Sequence, residues 1–138
     1  MIPFKILEHT ADMRIRVQGH TEEEVFQSAA LALAAILYPE YEKFKKRPGE
    51  YEKIVIEAPD INILLVNFLN EVLSRSEINR KIYPRIKFLK FSPKSLETQI
   101  FGFPIDYFDE DIKAVTYHEA EIEQNKRGIF EVILTLDI

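Results

Sequence analysis

Between residues 61 and 73 the large apolar side chains fall at Ile61, Leu64, Leu65, Phe68, Leu69, Val72 and Leu73. That spacing keeps all of them on one stripe of an α-helix, and the stripe needs a wide apolar surface to lie on. Asp60 stands ahead of it as an N-cap. A second helix is predicted from Thr21, which with Glu24 forms a capping box, to about Leu37, with Val25, Ala29, Leu33 and Leu37 on one stripe and Pro39 as its stop. The rest alternates. Residues 4–8, 13–17, 51–57, 85–91, 95–103, 113–122 and 128–136 read as strands, crowded toward the C-terminal half. Two helices among so many strands favour an α+β fold, a two-layer arrangement in which both helices pack on a largely antiparallel β-sheet, over an alternating parallel one.

At 138 residues the chain reads as a single domain, 1–138, with an apolar content of 46% that supports one continuous core. It has no cysteine, which excludes disulfides, thiolate zinc sites, iron–sulfur clusters and a cysteine nucleophile. Its glycines are Gly19, Gly49, Gly102 and Gly128, so neither a Walker loop nor a dinucleotide fingerprint is present. His9, His20 and His118 form no His-Glu-x-x-His pair, and no serine sits in a Gly-x-Ser-x-Gly elbow. The longest apolar run, residues 29–38, is half the length of a membrane span, and Met1-Ile2-Pro3 opens no signal peptide. A soluble, cytoplasmic protein with no membrane partner is expected.

The net charge of −5 is unevenly spread: −4 over residues 1–42, 0 over 43–74, +6 over 75–94 and −7 over 95–138. The basic stretch, with Arg75, Arg80, Lys81, Arg85, Lys87, Lys90 and Lys94, has the charge to touch RNA, although a solvated helix exit followed by an exposed strand face produces the same pattern.

Two places stand out chemically. His9-Thr10-Ala11-Asp12 joins two strands where a plain hairpin would favour glycine or asparagine; it reads either as an Asp12-capped turn or as a functional loop. At the other end, the strand over residues 131–136 runs into Asp137 and the α-carboxylate of Ile138. This is either a frayed polar tail or a pair of anions that needs a cation between them. Carboxylates and carbonyl oxygens are hard ligands that suit Ca²⁺ or Mg²⁺.

The blocks Glu8-His9-Thr10-Ala11-Asp12 followed by Gly19, Leu64-Leu65-Val66-Asn67-Phe68-Leu69-Asn70-Glu71, Ile112-Lys113-Ala114-Val115-Thr116-Tyr117-His118 and the closing Asp137-Ile138 resemble, in order and nearly end to end, the archease family. The resemblance implies a non-catalytic accessory protein of the RtcB-type RNA-splicing ligase. Such a protein promotes guanylylation of the ligase by GTP and its multiple turnover in tRNA splicing, meeting tRNA and GTP through the ligase. It implies a divalent metal, Ca²⁺ foremost with Mg²⁺ or Mn²⁺ as alternatives, on Asp12, Asp137 and Ile138. Functional or partner-contacting roles follow for Lys113, His9 and His118. The sequence departs from the family at residues 103–111, where relatives often carry a glycine-bearing loop and this chain has the acidic run Asp109-Glu110-Asp111; a solvated turn accounts for it. The segment at −7 would be the docking side for a basic ligase.

Two other classes fit less well. A metal-dependent phosphoesterase or nuclease would need more carboxylates and a base beside Asp12 and Asp137. A chaperone-like interaction module would need an exposed apolar patch, for which Phe101, Phe103, Tyr107 and Phe108 are the candidates.

Overall fold

A computed structural model describes residues 1–9 and 12–138, the side chains of Glu8 and His9 excepted. The elements run β1 (Phe4–His9), β2 (Asp12–Gly19), α1 (Glu22–Leu37), a 3₁₀ turn (Tyr41–Phe44), β3 (Glu50–Glu57), α2 (Ile61–Asn79), β4 (Lys81–Ser92), β5 (Ser95–Pro104), β6 (Ala114–Val115), β7 (Glu123–Gln124) and β8 (Phe130–Asp137). The α+β class and the antiparallel pairing agree with the sequence reading. The strands divide between two sheets, however, where one was expected.

Sheet A has the order β1-β2-β8-β6, with β7 also paired to β8; sheet B has the order β3-β5-β4. Every pair is antiparallel. Both helices pack against strands of both sheets, and this is where the stripe of α2 is used: Leu64, Leu65, Phe68 and Leu69 are fully buried. Full burial of such side chains contributes roughly 1.5–3 kcal/mol each. Phe26 of α1 lies 6.0 Å from the Phe68 ring and 5.0 Å from Phe91 of β4, which joins the helices to sheet B.

Both N-cap side chains accept helix amides as read, Thr21 supplying the first half of its capping box. The Glu24 amide donates to Thr21 Oγ1 at 3.0 Å, and the Asn62 and Ile63 amides both donate to Asp60 Oδ1 at 2.9 Å. Helix α2 ends on Arg80 in the left-handed region, φ 54°, so the chain turns at once into β4. Two glycines are set by close approach. A Cβ on Gly19 would lie 2.7 Å from the Val25 amide nitrogen in the first turn of α1, and one on Gly102 would lie 2.6 Å from the Tyr83 ring.

The predicted strand over residues 113–122 is mostly absent. Only Ala114–Val115 pairs as β6. Beyond it the chain turns, with the Ala120 amide donating to the Tyr117 carbonyl and Glu119 at φ 57°. Period-two alternation of Val115 and Tyr117 imitated a strand, but side chains of α2 take up main-chain groups that a longer ladder would have used.

Candidate functional site

In β2 Met13, Ile15 and Val17 point inward and are buried, so Asp12, Arg14, Arg16 and Gln18 face outward. On β8 the buried set is Val132, Leu134 and Leu136, which leaves Asp137 outward in the same sense. The register pairs Asp12 directly with Asp137, and both are exposed. Side chains directly opposite in an antiparallel pair have Cβ atoms about 4.5–5.5 Å apart, and like charges there repel. Ile138 follows half-buried, its side chain packed on the core. The tail is therefore tethered by the β8 ladder up to Asp137.

Lys113 lies on the other side of β8. Its amide donates to the Asp137 carbonyl at 2.7 Å, and its Nζ is 3.8 Å from Asp111 Oδ2, with both side chains exposed. It directly precedes β6, outside the strand that the sequence reading placed over residues 113–122. The hydrogen bond to Asp137 places its backbone beside the Asp12–Asp137 pair.

His118 sits in the turn that follows β6. Its amide donates to Thr116 Oγ1 at 3.3 Å, and its ring Nε2 is 3.6 Å from Glu119 Oε1. Glu119 also accepts from Arg14 Nη2 at 3.1 Å. His118 thus neighbours the residue row next to Asp12 without reaching the carboxylate pair in any described contact. The backbone of His9 pairs with Met13 in β1; its side chain, and the turn read at Thr10 and Ala11, lie outside the described residues.

The pair fits the metal that the resemblance implies in chemistry: two opposed carboxylates and the main-chain oxygens of Ile138 are hard donors. Among the described residues no group of three or more His, Cys, Asp or Glu side chains is arranged to hold a metal, so the remaining ligands of such an ion would come from main chain, water or a partner. Asp109, Glu110 and Asp111 are likewise not gathered into a metal-binding group.

Sequence reasoning passed over the residues that position this end of sheet A. Asn70 of α2 grips Val115 twice, Nδ2 donating to its carbonyl at 2.9 Å and Oδ1 accepting its amide at 2.8 Å. Asn67 Oδ1 accepts from the Tyr117 hydroxyl, and Asn62 Oδ1 accepts the Ile122 amide at 2.9 Å. The signal was present as asparagines interrupting an apolar helix, where they cost helix propensity unless their side chains are used.

Below the carboxylate pair the outward face of sheet A forms a groove of about 540 Å³ lined by Arg14, Arg16, Glu119, Glu121, Glu123, Glu131, Val132 and Ile133. The aromatic patch proposed from sequence is not continuous. Phe103 is buried against Phe44 at 4.9 Å, and Phe101 and Phe108 lie half-buried under Arg85 and Arg80. Tyr107 is exposed beside Tyr38. Among the described residues no helix is long and apolar enough to cross a membrane.

Residues 4–138 match the model of the archease protein family (MTH1598/TM1083). A protein archease of Pyrococcus abyssi is 33% identical over 138 residues, covering 95% of this chain and 95% of its own. One of Methanosarcina mazei is 32% identical over 134 residues, covering 91% of this chain and 89% of its own. Among solved structures, the solution structure of Methanobacterium thermoautotrophicum protein 1598 superposes with a TM-score of 0.76 at 25% identity, covering 100% of both chains. The crystal structure of an archease from Thermotoga maritima, described as a possible chaperone, gives 0.64 at 20% identity, covering 97% of this chain and 96% of that one.

Proposed function

The chain belongs to the archease family, and from that premise we propose that it is an accessory activator of the RtcB-type RNA-splicing ligase. In this role it promotes GTP-dependent guanylylation and repeated turnover in tRNA ligation and has no catalytic residue of its own. Its partners are then the ligase, and tRNA and GTP through the ligase, in the cytoplasm.

The observation that carries this reading is the Asp12–Asp137 opposition at the end of sheet A, with Lys113 fastened to the Asp137 carbonyl. Asp12, Asp137 and the main-chain oxygens of Ile138 would hold a divalent ion, Ca²⁺ before Mg²⁺ or Mn²⁺. Bound there, such an ion supplies positive charge to an anionic strand end and open coordination positions for phosphate oxygens. Asp12 and Asp137 bind and orient. Lys113 adds a cation on the flank of β8, available to a phosphate or to a carboxylate of the ligase. His118 and His9 are assigned to partner contact, His118 being exposed on the turn held by Asn67 and Asn70 through Tyr117 and Val115.

The description of the Thermotoga maritima relative as a possible chaperone supports a protein partner in general. A divalent ion held by Asp12 and Asp137 would make a phosphate-handling ligase a suitable partner, since it would offer phosphate oxygens a positive charge. Transfer of labelled GMP onto the purified cognate ligase, with and without this protein, tests it. Faster or more complete labelling is expected with the wild type and not with Lys113→Ala; identical labelling in all reactions contradicts the proposal.

A further inference from the structure

The basic stretch found in the sequence has a specific place in the fold that the ligase reading leaves unused. Sheet B turns Ile54, Leu96 and Ile100 inward. Its register therefore lines up Tyr51, Phe101 and Arg85 in one outward row across β3, β5 and β4, and Lys53, Gln99 and Lys87 in the next. Val55, Glu97 and Lys90 form the row after that.

Tyr51 is 58% exposed, with its ring 5.8 Å from that of Phe101. The Arg85 guanidinium lies 4.6 Å from the Phe101 ring. Arg85 Nη1 also donates to the carbonyls of Lys45 and Arg47 at 3.5 and 3.3 Å, which brings the lysine-rich loop over residues 43–49 to the same edge. Glu97, the acid in these rows, is answered by Lys53 Nζ at 2.6 Å, so Arg85, Lys87 and Lys90 give the face a surplus of positive charge.

We propose that this outward face of sheet B binds single-stranded RNA, with bases stacking on Tyr51 and on the Arg85–Phe101 pair while phosphates meet Lys87, Lys90 and the loop over residues 43–49. Single-strand binders combine a basic track with exposed rings on which successive bases stack. Alternate residues on a strand are about 6.6 Å apart, so Arg85 and Lys87 present charge at intervals an extended polynucleotide matches. An acidic protein surface would answer the lysines alone; the exposed ring beside a guanidinium plane answers a base. The choice of RNA over DNA follows from the proposed role beside an RNA ligase, and to that extent the inference rests on that reading.

The test is fluorescence anisotropy of a labelled uridine oligomer of about 12 nucleotides, inside the roughly 4–16 nucleotide span of such sites, titrated with the purified full chain over a range of salt. Binding is expected at low salt. Tyr51→Ala should weaken it about tenfold with the salt slope unchanged, and Tyr51→Phe should restore it. Lys87→Gln with Lys90→Gln should lower the magnitude of the salt slope by about 1.4, the value for two phosphate contacts on a single strand. These side chains are exposed, and unchanged thermal midpoints will establish that the variants fold.

No binding, or binding indifferent to all these substitutions, overturns the proposal. Equal affinity for an RNA duplex or for a single-stranded DNA oligomer of the same length, titrated in parallel, overturns the assignment to single-stranded RNA. Loss of ligase labelling in these variants without loss of RNA affinity would make the face a protein-docking surface instead. Because the oligomer assay contains no ligase, its failure leaves the guanylylation test standing, and failure of guanylylation leaves this one standing.

Discussion

The outward faces of the two sheets solve the same electrostatic problem in opposite ways. In sheet B cross-strand neighbours are complementary: Lys53 meets Glu97 across the ladder, and Tyr51 and Arg85 both lie against Phe101. Such pairs contribute roughly 0.2–1 kcal/mol each. Sheet A instead sets Asp12 against Asp137 and Lys5 against Arg16. Like charges directly opposite one another destabilise a sheet, so the end of sheet A that carries Asp12 and Asp137 depends on the backbone ladder of β2, β8 and β6, and β6 in turn on Asn70 of α2. The carboxylate end of sheet A is thus where we propose a cation, as the surplus of Arg85, Lys87 and Lys90 on sheet B is where we propose a polyanion.

The largest expected effect abolishes the comparison, because it removes what the two sheets share. Leu65→Ala or Phe68→Ala should destabilise by about 2–5 kcal/mol, since both side chains are fully buried on α2 between the sheets' strands. A denaturant midpoint that barely moves would show that α2 is not the common support.

Asn70→Ala should separate the sheets. It leaves the Val115 amide and carbonyl without their side-chain partner, at a cost of about 1–3 kcal/mol. Hydrogen exchange should quicken at Val115 and in the following turn while β3 and β5 keep their protection. Equal loosening of both sheets would contradict the local role.

A smaller effect is confined to sheet B. The Tyr83 hydroxyl donates to Glu52 and accepts from Asn79 Nδ2 at 3.0 Å. Burial first, then the hydrogen bond to Glu52, push the Tyr83 phenol from its ordinary value of 10.0 up to about 12. Because the folded pKa is the higher one, this contribution is fully present below about pH 10 and is lost as pH rises from there through about 12. Tyr83→Phe should cost about 0.5–1.5 kcal/mol at neutral pH and should flatten the alkaline limb of stability against pH. A limb of unchanged shape would assign it to other groups.

The smallest effect has an unusual sign. In a chelator, Asp12→Asn should raise stability by about 0.2–1 kcal/mol through relief of the opposed charges, while removing any rise in melting temperature that Ca²⁺ gives the wild type. Destabilisation without metal would mean that the pair does not repel, and the reason for placing a cation there would fall. Appending residues after Ile138 should remove the Ca²⁺ response as Asp12→Asn does, by displacing the main-chain oxygens at that end.

Much of this was legible from local pattern. The stripe of α2, both caps and the strands of sheet B are short-range properties, and Asp60, Thr21 and the alternation from Tyr51 to Glu57 announced them. The split into two sheets was not legible, because alternation says which face a residue occupies and nothing about which strand lies beside it. The strand read over residues 113–122 was misleading beyond Val115 for a related reason: Tyr117 keeps strand periodicity, but its hydroxyl bonds Asn67 on a helix 50 residues earlier, while Val115 in β6 is held by both β8 and Asn70. From their own residues Asp12 and Asp137 read as separate oddities; the family resemblance grouped them, and the register sets them directly opposite each other. The exposed row of Tyr51, Phe101 and Arg85 comes from three strands distant in sequence, so only the register assembles it.

The central claim is that the anionic end of sheet A serves a ligase. Multiple-turnover ligation of a cleaved RNA by the cognate RtcB-type enzyme with GTP, run without this protein, with the wild type and with Asp12→Ala, measures it most directly. Several product molecules per ligase are expected only with the wild type, and a single round or less otherwise. Turnover that is equal with and without the protein, or equally stimulated by Asp12→Ala, would contradict it.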